Sequence, residues 1–149
     1  MDLGLSHPTA DRVAARAVVI AVISCRGFVD ADTSLSGDFW SRVRDWFSAL
    51  GVDGELEGSE RALIAKPLGS LVRQEQIDAQ WLCEGMTVLA WALGRYPMPP
   101  YDQQIVAAEV ADTLGLLKPY PETVLAKPSL RPASSLQLLA TASSHCIGA

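Results

Sequence analysis

Apolar side chains recur along most of the chain at the spacing of amphipathic helices. The clearest stripe follows Ser36 and consists of Phe39, Val43, Trp46, Phe47 and Leu50. Alternating apolar and polar positions, which are typical of strands, are scarce, and so are hairpin dipeptides. The pattern predicts helices over about residues 8–28, 37–50, 59–65, 71–96 and 102–114. We therefore expect an all-α fold, a compact bundle of about five helices.

The first of these segments has two interpretations. Its middle, Val18 to Ile23, is rich enough in β-branched residues for a buried strand. The alanines and arginines before it extend the segment to helix length, which favours a helix. Thr9 is the candidate cap at its start. Three later segments end in a Leu-Gly pair, which predicts a core leucine followed by a left-handed glycine cap.

The segment over about residues 71–96 carries two apolar stripes, which makes it the candidate central helix. One stripe is Leu82, Met86, Leu89 and Leu93, and the second is Ile77, Trp81, Val88 and Trp91. Glu84 lies in the middle of the second stripe. Because a helix that is apolar on two faces packs between neighbours, we expect Glu84 to be buried.

A buried carboxylate without a partner is costly, so Glu84 needs a cation or a raised pKa. The arginines on apolar segments are Arg16, Arg26 and Arg95. The favoured interpretation is a structural ion pair between Glu84 and one of them. The alternatives are a general acid or base in a pocket walled by Trp81 and Trp91, and simple exposure.

Other catalytic and metal-binding arrangements have little support. The two histidines, His7 and His145, lie near opposite ends of the chain, so Ser-His and Cys-His sets would have to recruit a terminus. The spacing of Cys and His does not match a zinc site, and glycine-rich phosphate loops are absent from the sequence. We expect no metal and no cofactor.

Composition and charge indicate which classes of partner and which cellular compartment to expect. The net charge is −5, and the chain has only three lysines, so we expect no binding to nucleic acid. Three cysteines, two of them in apolar surroundings, suit a cytoplasmic protein with reduced thiols. Val22 to Cys25 resembles a lipoprotein cleavage site, but the apolar run before it is short. No stretch reaches the length of a membrane span.

Proline punctuates the later part of the chain. The turn from Pro97 to Tyr101 is either a stiff connection or an exposed recognition surface that includes Tyr101. After Lys118, prolines interrupt regular structure, and no charged residue follows Arg131. We expect one helical domain over residues 1–118 and a loosely ordered, Pro/Ser-rich tail over 119–149, with a weak helix at 133–145.

Several motifs follow one another along the chain, namely Arg26-Gly27-Phe28, Ser59-Glu60-Arg61, Trp81-x-x-Glu84, Leu89-Ala90-Trp91-Ala92-Leu93-Gly94 and Pro99-Pro100-Tyr101-Asp102. In this order they resemble a bacterial family, domain of unknown function 4272. The resemblance covers about residues 12–118 and implies a cytoplasmic, mostly helical domain without an established activity. Relatives usually continue with a charged helix after Leu-Arg-Pro, whereas residues 133–149 here are uncharged. This end is either a diverged helix or a truncated or frameshifted one.

Three functions remain open on these grounds. The favoured hypothesis is a non-enzymatic module that binds a protein partner or a second copy of itself. The second is a small-molecule-binding domain with a pocket lined by Trp81 and Trp91. The third is an enzyme in which Glu84 is the acid or base and Arg16 or Arg26 orients an anionic substrate.

Overall fold

Helices account for the regular structure in the part of the chain that the computed structural model describes, residues 9–32, 37–100 and 102–136. The α-helices are α1 (Ala10–Ala31), α2 (Gly37–Leu50), α3 (Gly58–Ala65), α4 (Arg73–Ala92) and α5 (Ala107–Thr113). Three short 3-10 turns lie at Asp53–Glu55, Tyr120–Glu122 and Val124–Ala126. These described ranges contain no strand, and the all-α prediction is confirmed. None of their helices is long and apolar enough to cross a membrane.

Local sequence signals set the ends of these helices. The Thr9 side chain accepts a hydrogen bond from the backbone N–H of Arg12 and begins α1. The predicted glycine caps are confirmed, because Gly51, Gly94 and Gly115 all have positive φ angles. Helix α5 is shorter than predicted and begins at Ala107 rather than near residue 102.

The central helix is α1, and not α4 as the two apolar stripes predicted. Val19 and Val22 of α1 are completely buried, and α1 contacts α2, α3, α4 and the turn at Val124–Ala126. Helix α4 contacts α1 and α5, and Ala79, Met86 and Ala90 make up its buried side. Trp81 and Val88 of the second stripe are 63% and 39% exposed, so that stripe is not a continuous packing face. The β-branched run that suggested a strand lies at the centre of α1.

Helices α1 and α4 approach each other closely at Gly27. A Cβ atom added there would lie 2.7 Å from the Cβ of Ala79, and 3.0 Å from both the carbonyl oxygen of Gln76 and the nitrogen of Gln80. The missing side chain thus allows the backbones to touch. This contact fixes the spacing of the two helices that form the walls of the groove described below.

A buried arginine connects α1 to the end of α3 and to the connection that follows it. The guanidinium of Arg26 donates to the carboxylate of Asp30 and to the carbonyl oxygens of Lys66 and Pro67, at 2.8 and 2.7 Å for the carbonyls. It also lies over the ring of Trp40, 5.3 Å from the centroid. Both charged side chains are inaccessible to solvent, so the pair belongs to the core.

The start of the predicted tail belongs to the folded domain. Val124 is completely buried in the core, and the backbone N–H of Arg131 donates to the carbonyl oxygen of Ala92 at 2.8 Å. The expectation of loose order after residue 118 is therefore wrong for residues 119–131. Residues 133–136 are helical, and the rest of the predicted weak helix lies outside the described residues.

Candidate functional site: an apolar groove between α1 and α4

A groove of about 810 Å³ opens between α1, α4 and the segment that leads into α5. Residues spaced three and four apart on α1 form one wall, namely Ala21, Ser24, Cys25 and Phe28. Ile77, Gln80, Trp81 and Glu84 of α4 form the opposite wall, and residues 103–111 form the third side. The volume lies within the range of about 300–1,000 Å³ that is typical of sites for small molecules.

The groove has a polar group at its base. The side chain of Ser24 is buried, and its hydroxyl has no hydrogen-bond partner among the described residues. A serine within a helix can donate to the carbonyl of the preceding turn, but this hydroxyl does not. The amide of Gln80 is already engaged, since it donates to the carbonyl oxygen of Gly27. Ser24 is therefore the unengaged buried polar side chain on this wall.

Two thiols also line the groove, and both are held in the protonated form. Burial raises the pKa of Cys25 to about 11. Burial also raises the pKa of Cys83, and the neighbouring carboxylate of Glu84 adds to the shift. Because the thiolate is the nucleophile, these cysteines favour packing over catalysis at neutral pH.

Glu84 lies at the mouth of the groove and is exposed, so the prediction that it is buried is wrong. It forms no hydrogen bond or ion pair with any described residue. The reason is that the described part of the chain covers the second stripe of α4 only in part, and Val88 of that stripe is exposed as well. Trp81, three residues earlier on the same face, is 63% exposed for the same reason. This geometry excludes a structural ion pair between Glu84 and a described arginine, and the alternative of exposure is confirmed.

The predicted arginine partners pair with other carboxylates. Arg16 forms a two-pronged pair with Glu60 of α3, at 2.8 and 3.0 Å, which raises the pKa of Arg16. Burial pushes the pKa of Glu60 upward, but the bonds from Arg16 and the backbone of Glu57 outweigh it and lower the pKa. Arg26 pairs with Asp30, and neither arginine lines the groove. The structure does not bring Arg16 or Arg26 to Glu84.

Of the three aromatic residues predicted for the site, one lines the groove. Trp91 does not line the groove, and the guanidinium of Arg131 lies over its ring at 4.9 Å from the centroid. Trp81 does line it, and Tyr101 lies outside the described residues. The described ranges contain no group of three or more His, Cys, Asp or Glu side chains that could hold a metal ion.

Ser24 is the main feature of the site that sequence reasoning missed. A serine between Ile23 and Cys25 in an apolar run carries no motif, and only the packing of α4 shows which way it faces. Phe28 belongs to the Arg26-Gly27-Phe28 motif, but the motif does not predict its position on the groove wall. It is 39% exposed and faces α4 across the groove.

The fold and the groove together define an all-α domain with a mostly apolar surface cleft. A family model described as "Domain of unknown function (DUF4272)" matches residues 4–142, and the chain belongs to that family. The match begins before residue 12 and continues past residue 118, so it includes the turns that pack onto α1. No curated protein and no solved structure matches the chain.

Proposed function

We propose that the protein is a non-catalytic binding domain whose groove holds the apolar body of a small amphipathic molecule. The observation that carries this proposal is a groove of about 810 Å³ with apolar walls, lined in part by Ser24, whose buried hydroxyl has no hydrogen-bond partner among the described residues. Sites for small molecules combine such walls with a few polar groups that fix orientation. A ligand that hydrogen-bonds to Ser24 would satisfy a group that is otherwise costly to bury.

The chemistry of the lining supports binding rather than catalysis. Glu84 is the one carboxylate on the described walls, and no histidine, lysine or arginine accompanies it there. Burial raises the pKa values of both thiols, which makes the nucleophilic thiolate scarcer than in a free cysteine. A catalytic acid or base ordinarily works with a second group that orients it or stabilises charge. No such group lines the described groove beside Glu84.

An uncharged fluorescent probe, N-phenyl-1-naphthylamine, tests the proposal. We expect saturable binding at one probe per protein, with a rise in fluorescence. Ala108→Phe should abolish binding, because Ala108 is an exposed residue on the groove wall and a phenyl ring there would fill the space. Ala49→Phe is the matched control, since Ala49 is exposed on α2 away from the groove. Absence of saturable binding, or binding that Ala108→Phe leaves unchanged, would contradict the proposal.

A second candidate function is the protein-interaction module that the sequence favoured. It is supported by the large apolar side chains left exposed beside the groove, Trp81 at 63% and Phe28 and Val88 both at 39%. Exposed aromatic side chains that cluster in this way often anchor protein contacts. We consider a second copy of the chain as the protein partner on this surface. Sedimentation velocity over a range of concentrations should then show a dimer that Trp81→Ala weakens, and a monomer throughout would exclude it.

A further inference from the structure

The charges around the groove distinguish between classes of ligand. Among the described residues that line it, Glu84 carries the only formal charge, and that charge is negative. No described side chain neutralises it by an ion pair. The net charge of the whole chain, including Glu84, is −5. An anionic ligand would meet like charge at the mouth, whereas a cation would find an unpaired carboxylate.

One aromatic ring lies beside this carboxylate, and another lines the same groove. Trp81 precedes Glu84 by three residues, so the two share a face of α4, and both line the groove. Phe28 contributes a second ring from α1, and both rings are accessible to solvent. Ammonium groups are attracted to the faces of aromatic rings as well as to carboxylates. The mouth therefore combines two independent features that select a cation.

The interior has the opposite character. Ala21, Val29, Ile77 and Met86 make the walls apolar, and the hydroxyl of Ser24 is the unpartnered polar group there. A fully hydrated cation has no reason to enter this space, because burial of a charge without a partner is costly. An apolar body fits it, with one hydrogen-bonding atom at the end that reaches Ser24.

We infer that the groove binds a hydrophobic amine, with its ammonium group at the mouth against Glu84 and Trp81 and its apolar body inside. This inference rests on the proposed function and adds the charge of the ligand to it. An exposed ion pair and an exposed cation–π contact are each worth little, so the preference for a cation is modest. We expect about three- to tenfold tighter binding than for an uncharged analogue of the same shape.

Three probes with one naphthalene body separate the charge from the shape. They are 2-(1-naphthyl)ethylamine, 2-(1-naphthyl)ethanol and 1-naphthaleneacetate, each measured by displacement of N-phenyl-1-naphthylamine. The expected order of affinity is amine, then alcohol, then carboxylate. Glu84→Gln should remove the advantage of the amine over the alcohol, because it removes the charge of the carboxylate and keeps the shape of the side chain. Glu109→Gln, which removes an exposed charge on α5 outside the groove lining, should change neither affinity.

The outcomes separate this inference from the proposed function. Equal affinities of amine and alcohol, or an advantage that survives Glu84→Gln, would overturn the inference while leaving the groove as a binding site. Failure of all three probes and of N-phenyl-1-naphthylamine would overturn both. N-acetyl-lysine methylamide supplies an alkylammonium without a large apolar body. If it bound as tightly as the naphthyl amine, the site would recognise a lysine side chain, and the inference that the ligand has a large apolar body would be wrong.

Discussion

The contact at Gly27 sets the distance between the two helical walls of the groove, so Gly27→Ala is the sharpest test of the fold. The added Cβ would lie 2.7 Å from the Cβ of Ala79, whereas two carbon atoms are comfortable at about 3.5–4.0 Å. Two of the three nearest atoms belong to the backbone of α4 and cannot rotate away. The helices must then separate, and overpacking of this kind costs about 1–3 kcal/mol.

Helix propensity acts in the opposite direction, since alanine is better than glycine within a helix by about 0.5–1 kcal/mol. The steric cost is larger, and we expect a net loss of about 0.5–2 kcal/mol in the free energy of unfolding. Urea denaturation followed by circular dichroism measures it. Because the two walls move apart, the affinity for N-phenyl-1-naphthylamine should change as well.

Gly85→Ala is the matched control for this substitution. Gly85 lies within α4, and a Cβ added there would meet nothing within 4 Å. Only the gain in helix propensity remains, so we expect this variant to be more stable by up to about 1 kcal/mol. If Gly27→Ala were as stable as Gly85→Ala, the close approach of α1 and α4 would be refuted.

The remaining predictions concern buried polar groups. Arg26→Met should cost about 3–5 kcal/mol in urea denaturation, because it leaves the buried carboxylate of Asp30 uncompensated, and a loss below about 1 kcal/mol would contradict this. Burial pushes the pKa of Asp30 upward, but hydrogen bonds from two backbone N–H groups and the charge of Arg26 lower it overall. Its stabilisation is therefore present above about pH 4 and lost as the pH falls further, and Asp30→Asn should flatten the acid limb of a stability–pH curve. Burial raises the pKa of Cys25 to about 11. In a Cys83→Ser, Cys146→Ser background, iodoacetamide should then alkylate it at least about a hundredfold more slowly than free cysteine at pH 8, and an equal rate would refute the burial.

The helices could be predicted from sequence because their signals are local. The stripe from Phe39 to Leu50 and the Leu-Gly pairs require only the neighbouring residues, and both predictions are confirmed. Which helix lies at the centre of the fold could not be predicted in the same way. Periodicity shows that a face is apolar, but not whether another helix covers it. For α1, small alanines and β-branched residues allowed neighbours on several sides, whereas Trp81 on the second stripe of α4 stays 63% exposed.

The candidate site was predicted in part. Glu84 and Trp81 were singled out, and both line the groove, although for a reason opposite to the one expected. Arg16 and Arg26 were predicted as partners because they lie on apolar segments, but each pairs with another carboxylate. Glu60 lies in the Ser59-Glu60-Arg61 motif, where no local signal links it to Arg16. Asp30 follows Arg26 by one helical turn, so a search for i, i+4 pairs would have found the Arg26–Asp30 pair. The role of Ser24 depends on tertiary packing and has no local signal.

The same geometry indicates which substitutions can report on binding without reporting on folding. Ser24 and Ala21 lie on the buried side of α1, so a change there alters the core as well as the groove. Trp81 and Glu84 are exposed, and substitutions at exposed positions usually change stability by about 0.5 kcal/mol or less. A face that keeps a tryptophan, a valine and an unpaired glutamate accessible contributes little to the core. Under the proposed function Trp81 contacts the ligand, and loss of probe affinity in Trp81→Ala at an unchanged unfolding midpoint would support that proposal directly.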